Sequence, residues 1–207
     1  VHTAVACAAK LAAAFGAALA AYGAAGRPPT FSVGLAIVHH LEPLEDALTL
    51  ARRAERAAKA VSGKNALAVA LDKRSGAPRL VAGRWGALER RLLDLAALHQ
   101  AGAIPDRLAY QLLDSYHLLG GAAAVQANPA LVDILALEAE RLVERKRETG
   151  GQPMLAGDTK RVVHQAVVAA GSLAEAANEL VIAALLAKVN ELAGRTYPLP
   201  PPEATTP

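Results

Sequence analysis

The fold is decided by a stretch that opens with Thr30-Phe-Ser-Val-Gly-Leu-Ala-Ile-Val-His-His-Leu-Glu-Pro43 and ends with Gly63-Lys-Asn65. Residues 31–38 form an apolar run that contains β-branched and aromatic side chains and is flanked by prolines. Such a run is typical of a strand that is covered on both faces. We therefore predict a buried, central strand over residues 31–38.

The spacing of apolar residues changes to that of a helix after this strand and predicts a helix over 43–61. Pro43 suits its first turn, and Gly63 suits the position after its end. A second apolar run over 65–72 completes a strand-helix-strand unit. The helix face expected to lie on the sheet consists of Leu44, Ala47, Leu48, Ala51, Ala54, Ala58 and Val61.

The segments on either side extend this unit. Residues 3–25 predict an alanine-rich helix, and its uncharged run from Leu11 to Gly26 is shorter than the ~20 residues of a membrane span, so we expect a buried helix. Residues 79–82 predict a short edge strand after the turn at residues 73–78.

Every segment after residue 85 has helical spacing. Helices are expected at 87–101, 106–119, 129–148 and 158–170, and the capping box Ser172-Leu-Ala-Glu175 predicts a further helix that ends near Ala193. Short connections favour a bundle of antiparallel neighbours. The expected domains are residues 1–84, a helical bundle at 85–196, and a proline-rich tail at 197–207.

Composition and charge exclude some classes of protein. Cys7 is the single cysteine, so an internal disulfide and a zinc finger are both excluded. Residues 1–84 hold 11 basic and 5 acidic residues, a net charge of +6, and residues 85–207 hold 11 and 14, a net charge of −3. This asymmetry suggests a phosphate or polyanion partner for the first part and a protein partner for the second.

Basic residues are concentrated on the predicted helix and the turn that follows it. Arg52, Arg56 and Lys59 share one helix face, and Lys64 lies in the turn. Cations that converge near a strand end can bind phosphate. The alternative is a solvated helix face on which Glu55 pairs with Lys59.

Other polar residues give weaker signals. Ser32 precedes Val33-Gly34, where the backbone could approach a ligand, or where Gly34 simply makes room for packing. His39 and His40 should point to opposite faces of the strand, so they cannot easily chelate one metal ion. We expect structural roles for His99, His117 and His164. The sequence has no Walker loop, nucleophile elbow or Gly-x-Gly-x-x-Gly motif.

The segments Phe31-Ser-Val-Gly34, Ala51 to Lys59, Gly63-Lys-Asn65 and Lys73-Arg-Ser-Gly76 together resemble a known family. They are similar to the large, polymerase-like subunit of type III CRISPR effector complexes, in particular the type III-B (Cmr) form, and more distantly to the C-terminal half of GGDEF nucleotide cyclases. The resemblance implies an α+β fold, with a partial ferredoxin-like palm followed by an all-α helical bundle.

The resemblance also implies a function. In that family the palm binds ATP with Mg²⁺ or Mn²⁺ and makes cyclic oligoadenylates once the complex captures target RNA. By position, Ser32 would lie near the nucleotide, and Lys59 and Lys64 would face its triphosphate. The partners implied are the other subunits of the complex, with guide RNA and target RNA bound through it, in the cytoplasm and without a membrane.

The family's Gly-Gly-Asp-Asp turn is absent and should lie just before Val1. We therefore expect a fragment that lacks the metal-binding carboxylates, with no catalytic or metal-binding residue of its own and no cyclase activity. Two other classes stay open. The chain could be a helical scaffold whose strand-helix-strand unit is purely structural, or a nucleotide-sensing module that binds without turnover.

Overall fold

The computed structural model of the chain describes residues 1, 3–23, 29–73, 76–148 and 156–200. It is an α+β fold with one three-stranded sheet and eight α-helices in these residues, which confirms the predicted fold class. The chain divides into two compact units, Val1–Arg90 and Arg91–Pro207. The predicted tail at 197–207 lies outside the described residues from position 201 onward.

The first unit contains the sheet and the helices around it. Its elements in chain order are α1 (Ala4–Ala18), a 3₁₀ turn (Ala20–Tyr22), β1 (Val33–Ile37), α2 (Leu44–Ala60), β2 (Ala66–Leu71) and β3 (Arg79–Arg84). The strand-helix-strand prediction is confirmed, because β1 and β2 pair in parallel and α2 connects them. The short strand after β2 is also confirmed, and it pairs with β2 antiparallel.

The strand order is β1-β2-β3, so the prediction that residues 31–38 form the central strand is wrong for the described sheet. The central strand is β2, all six residues of which are buried, whereas the five residues of β1 are only half-buried. An apolar run shows that a strand is covered, but it does not show how many neighbours the strand has.

Large and small side chains alternate along the strands and divide the sheet into two different faces. One face carries Leu67, Val69 and Leu71, and the other carries Ala66, Ala68 and Ala70. The alanine face packs on α2 through Leu50, Ala54 and Ala58. Small residues on both sides let the helix approach the sheet closely.

In the first turns of α2 the buried residues are not the ones that were predicted. Leu44 and Leu48 are 83% and 46% exposed, and the helix instead buries Leu50. Pro43 is the N-cap residue, and Gly63 lies two residues beyond the C-cap Val61. The apolar face is therefore shorter than the spacing of apolar residues suggested.

The prediction of a buried first helix is also wrong. Among the residues of α1 only Val5 and Ala8 are buried, and Leu11 is exposed. Alanine side chains offer little apolar area, so an alanine-rich helix gains little from burial. Its largest anchor is Phe15, whose ring stacks on Phe31 with the centroids 5.0 Å apart.

The second unit is helical. Its elements are α3 (Leu88–Gln100, which begins in the first unit), α4 (Leu108–Leu118), α5 (Gly121–Ala127), α6 (Leu131–Glu148), α7 (Ala156–Ala169) and α8 (Leu173–Leu192). Five of these were predicted, with bounds that differ by a residue or two. Helix α5 was missed, because Gly120-Gly121 signalled a break and the segment is only seven residues long.

Helix α8 is the most buried element of the second unit. Eleven of its 20 residues are buried. The predicted cap at its start is present, because the Glu175 backbone N–H donates to Ser172 Oγ at 3.2 Å. Buried Glu179 accepts two hydrogen bonds from the Arg91 guanidinium, at 2.7 and 2.9 Å.

Candidate functional site

Pairing between the strands brings three sequence-distant segments to one edge of the sheet. Val33 is opposite Leu67 in the parallel pair, and Ala66 is opposite Arg84 in the antiparallel pair. The beginning of β1, the beginning of β2 and the end of β3 therefore lie together. We call Ser32, Lys59, Lys64 and Arg84, which lie at or next to these ends, the basic edge.

Ser32 directly precedes β1 and is half-buried. It shares a strand face with Gly34, and this is the face on which α2 packs. A Cβ atom at Gly34 would lie 2.2 Å from the Glu55 backbone nitrogen, so only glycine fits under the helix. Of the two interpretations of Gly34, close packing is the one that the structure confirms.

Lys59 lies in the last turn of α2 and already has a partner. Its Nζ atom is 2.6 Å from Glu55 Oε1, and both side chains are about half exposed. The hydrogen bond and the charge of Lys59 lower the pKa of the Glu55 carboxyl, with smaller contributions from Arg56 and Arg52. The ion pair of the solvated-face interpretation is thus present, and a ligand would have to compete with Glu55 for Lys59.

Lys64 lies in a strained turn between α2 and β2. Gly63, Lys64 and Asn65 have φ values of +79°, +54° and +50°, so three consecutive residues are left-handed. This conformation costs about 1–2 kcal/mol for each residue other than glycine. The Lys64 backbone N–H donates to Val61 O at 2.8 Å, and its side chain is exposed. Strain of this kind persists only where surrounding contacts hold it, and it often marks functional sites.

Arg84 and Trp85 hold this edge together, and the sequence did not identify them. Arg84 Nη2 donates to Ser62 O at 2.7 Å, and Trp85 Nε1 donates to Phe31 O at 2.7 Å. The Trp85 backbone N–H donates to Asn65 O at 3.4 Å. The segment 83–86 suggested only a change of composition, because the register that brings it to this edge is not visible in a local pattern.

The residues of the basic edge do not fit a metal ion. Mg²⁺ and Mn²⁺ take oxygen ligands, mainly carboxylates, whereas this edge carries the cations of Lys59, Lys64 and Arg84. Within the described ranges no group of three or more His, Cys, Asp or Glu side chains could hold a metal ion.

His39 and His40 lie at the carboxyl end of β1, opposite to the basic edge, and His164 makes a contact within the second unit. His39 and His40 follow the end of β1, and their rings lie 4.3 Å apart, so the expectation that they point in opposite directions is wrong. The pleat that separates neighbouring side chains ends with the strand at Ile37. His39 Nδ1 accepts a bond from the Leu41 N–H, and His164 Nδ1 lies 2.6 Å from Glu140 Oε1.

A separate cavity of about 270 Å³ lies within the second unit, among α4 to α8. Its lining carries no charged side chain and is mainly apolar, with Tyr116, Gln126 and Ser172 as the polar members. None of the described helices is both long and apolar enough to cross a lipid bilayer.

A comparison with protein-family models finds a match within the first unit. Residues 1–68 match the family model for the second palm domain of Cas10/Cmr2. No curated protein and no solved structure matches the chain significantly. The matched residues include β1, α2 and the Gly63-Lys-Asn65 turn, and they stop within β2. The match covers 68 of the 207 residues and is a similarity to the Cas10-type large subunit of type III CRISPR systems.

Proposed function

We propose that the first unit supplies the phosphate-facing part of an ATP site in the large subunit of a type III CRISPR effector complex. The observation that carries this proposal is the convergence of Ser32, Lys64 and Arg84 at one edge of the sheet, through the pairing of Val33 with Leu67 and of Ala66 with Arg84. The type III-B (Cmr) form fits the sequence pattern best. Such a complex would act in the cytoplasm.

The side chains of the basic edge suit a triphosphate. Lys64 is an exposed ammonium next to the start of β2, and the Arg84 guanidinium adds positive charge to this edge while it donates to Ser62 O. The hydroxyl of Ser32 would hydrogen-bond the nucleotide. Lys59 would contribute once ATP displaces Glu55 from it, so its share of the affinity should be smaller than that of Lys64.

The metal-dependent chemistry needs carboxylates, and the described residues of the basic edge are a serine and three cations. We propose that the carboxylates for Mg²⁺ or Mn²⁺ lie on a Gly-Gly-Asp-Asp hairpin upstream of Val1. On this proposal the 207-residue chain makes no cyclic oligoadenylate from ATP, and synthesis needs the hairpin together with target RNA captured by the guide RNA of the complex.

The test is a calorimetric titration with ATP and Mg²⁺ of this chain and of a chain extended upstream through the expected hairpin. We expect the extended chain to bind much more tightly, because the site spans the junction. Lys64→Ala should weaken this binding roughly tenfold or more, since a hydrogen bond to a charged group contributes about 1.5–3 kcal/mol. Lys59→Ala should have a smaller effect.

Lys73→Ala is the matched control. Lys73 is also an exposed lysine that flanks β2, but it follows the carboxyl end of the strand. It therefore lies roughly 20 Å of strand length away from the basic edge. If Lys73→Ala weakens binding as much as Lys64→Ala does, the attraction is a general effect of positive charge and the site is elsewhere.

The same titration separates the other two classes of function. Binding by the 207-residue chain alone that is lost in Lys59→Ala and Lys64→Ala, without any turnover, would favour the nucleotide-sensing module. If neither chain binds ATP, the helical scaffold becomes the better explanation. If the purified 207-residue chain makes cyclic oligoadenylate, the proposal that the metal-binding carboxylates lie on an upstream hairpin is wrong.

We also propose that the second unit docks neighbouring protein subunits of the complex. Its support is an apolar, uncharged region, because residues 118–132 contain no charged side chain and Leu118 is 88% exposed. Leu118 lies two residues from Tyr116, which lines the cavity of this unit. A protein partner with an apolar contact surface would fit such a region.

The docking proposal is tested by reconstitution with the other purified subunits of the complex. Leu118→Glu should weaken assembly, because it buries a charge in an apolar contact. Leu192→Glu is the control, since Leu192 is similarly exposed at 76% but lies at the end of α8. Equal assembly of both variants with the unaltered chain would exclude this region as the interface.

A further inference from the structure

We infer that Arg84 and Trp85 are positioning residues of the basic edge, which hold in place the two segments that carry Lys64 and Ser32. The inference rests on the proposed nucleotide site, gives Arg84 of the basic edge a positioning role and adds Trp85. Both lie beyond residue 68, where the match to the palm family model ends.

The first step is the geometry of the turn that carries Lys64. Three consecutive left-handed residues are an unfavourable backbone conformation, and two of them are Lys64 and Asn65 rather than glycine. The turn has two external anchors among the described bonds. They are the Arg84 guanidinium on Ser62 O, on one side, and the Trp85 backbone N–H on Asn65 O, on the other.

Gly63 provides the space for the first anchor. A Cβ atom at position 63 would lie 2.8 Å from Arg84 Nη2, so the guanidinium lies directly against this glycine. Arg84 thus contacts the residue that precedes Lys64 and bonds to the carbonyl of the residue before that. Small movements of this arginine would change the position of the Lys64 backbone.

The second step is the link to Ser32. Trp85 directly follows Arg84, the last residue of β3. Its indole Nε1 donates to Phe31 O at 2.7 Å, in partly buried surroundings. Phe31 directly precedes Ser32. Two consecutive residues at the end of β3 therefore fix both of the segments that the proposed site needs.

A purely structural role and a positioning role make different predictions. If Arg84 and Trp85 only stabilise the fold, their loss lowers the melting temperature but leaves the affinity of the folded protein for ATP unchanged. If they position Lys64 and Ser32, affinity falls in the folded protein. The effect of Arg84 then depends on the presence of Lys64, because residues that act through one another are not additive.

The test measures ATP affinity in the extended chain described above, below the melting temperature of each variant. We expect Arg84→Ala to weaken binding about tenfold, the upper range for loss of one hydrogen bond. In the Lys64→Ala background the same change should have little further effect. Arg84→Lys, which can still donate to Ser62 O, should recover part of the affinity.

Trp85→Phe keeps an aromatic ring but lacks the Nε1 donor, so it tests the second anchor in a variant that retains the packing. We expect it to weaken binding of ATP and AMP by a similar factor, since Ser32 is proposed to contact the nucleotide away from the triphosphate. Arg84→Ala should instead weaken ATP far more than AMP. Arg79→Ala, at the opposite end of β3, is the control and should change neither affinity.

The outcomes separate this inference from the function on which it rests. If the unaltered extended chain does not bind ATP, the proposed function fails and the positioning role falls with it. If it binds, and Arg84→Ala and Trp85→Phe bind equally well, only the inference is overturned. Additive losses for Arg84→Ala and Lys64→Ala would likewise overturn the positioning role of Arg84.

Discussion

Helices α2 and α8 each pair a glutamate with a basic residue, but in opposite surroundings. On α2, Glu55 and Lys59 are about half exposed and four residues apart. On α8, Glu179 is 3% exposed in its side chain and pairs with Arg91 of α3, 88 residues away in sequence. The first pair lies beside solvent on the helix that leads to the basic edge, and the second lies inside a bundle.

The two helices differ in how many of their residues are buried, and therefore in how many are left to contact a ligand. Helix α2 buries only Leu50, Ala54 and Ala58, and so it leaves a charged face and a strained end available to a ligand. Helix α8 buries eleven of its 20 residues, so a larger share of it is committed to packing. A substitution should therefore act mainly on stability in α8 and mainly on binding at the end of α2.

The largest expected effect on stability comes from a substitution that separates α2 from the sheet. Gly34→Val places a Cβ atom where the α2 backbone is, 2.2 Å from the Glu55 nitrogen, and backbone cannot move aside as a side chain can. We expect a loss of about 4 kcal/mol or more in the free energy of unfolding, in the range of the most damaging core substitutions. Urea denaturation followed by circular dichroism measures it.

Gly16→Ala is the matched control for this prediction. Gly16 lies inside α1 and has no atom within 4 Å of its added Cβ. The change should be neutral or stabilise the protein by about 0.5–1 kcal/mol, because alanine is the better helix former. A Gly34 variant that unfolds at the same urea concentration as the unaltered chain would disprove the close contact between α2 and β1.

The second prediction breaks the buried pair of α8. Arg91→Ala leaves the Glu179 carboxylate buried without its cation, and removal of one partner from a buried pair costs about 3 kcal/mol or more. The urea midpoint should fall clearly. Burial raises the pKa of the Glu179 carboxyl above its usual value, although the bonds and charge of Arg91 oppose this.

The raised pKa of Glu179 predicts how the stability of the Arg91→Ala variant depends on pH. Without Arg91 the folded protein favours the neutral carboxylic acid even more, so the folded pKa lies above the unfolded value of about 4.3. The folded state is then favoured below that value, and stability falls as the pH rises through the folded pKa. The loss relative to the unaltered chain should be smaller at acidic pH, and an equal loss at all pH values would contradict the buried carboxylate.

Elements with strong local signals were predictable from the sequence. The apolar runs over residues 31–38 and 65–72 located β1 and β2, the helical spacing from Leu44 located α2, and Ser172 with Glu175 located the start of α8. The position of β1 in the sheet and the exposure of α1 were not predictable in this way. Both depend on how the helices and strands pack against one another, and the sequence of a single segment does not contain that information.

Only part of the candidate site could be predicted from the sequence, because the rest depends on how the strands pair. Ser32, Lys59 and Lys64 lie in the segments that resemble the palm family, and their roles stay a prediction. Arg84 and Trp85 reach the same edge only because Ala66 pairs with Arg84. Nor did the spacing of four between Glu55 and Lys59 decide whether Lys59 is available to a ligand, because the ion pair and a phosphate contact need the same ammonium.

The third prediction compares the ends of the two helices. After α8 the left-handed residue is Gly194, with φ +65°, as is usual after a helix, whereas after α2 the left-handed Gly63 is followed by two further left-handed residues, Lys64 and Asn65. Lys64→Gly should therefore stabilise the protein by about 0.5–1 kcal/mol, the strain relieved less the entropy cost of glycine. It should also weaken ATP binding by the extended chain.

The reverse change serves as the control. Gly194→Lys introduces at the end of α8 the strain that Lys64 has at the end of α2, in a place where nothing lies within 4 Å of the added Cβ. It should lower stability by a similar amount and leave ATP binding unchanged. If Lys64→Gly lowers stability, then the lysine side chain supports the turn, and the strain is not retained for binding.

The smallest effect concerns the exposed pair of α2. Lys59→Ala should leave the urea midpoint nearly unchanged, since exposed ion pairs contribute little, in contrast to Arg91→Ala. The change should appear in the titration of Glu55, because Lys59 is what chiefly lowers the pKa of that carboxyl. In the unaltered chain the stabilisation by this pair is present above the unfolded pKa and is lost as the pH falls through the lowered folded value. Nuclear magnetic resonance of the Glu55 carboxyl carbon measures this pKa in the unaltered chain and in Lys59→Ala.

The Glu55 titration also reports on the proposed site, because ATP and Glu55 would compete for one ammonium group. If the triphosphate draws Lys59 away, saturating ATP should raise the Glu55 pKa in the extended chain, towards the value in Lys59→Ala. Lys73→Ala should titrate as the unaltered chain does. A Glu55 pKa that stays low while ATP is bound would show that Lys59 keeps its partner on α2, which would leave Lys64 as the ammonium that faces the phosphates.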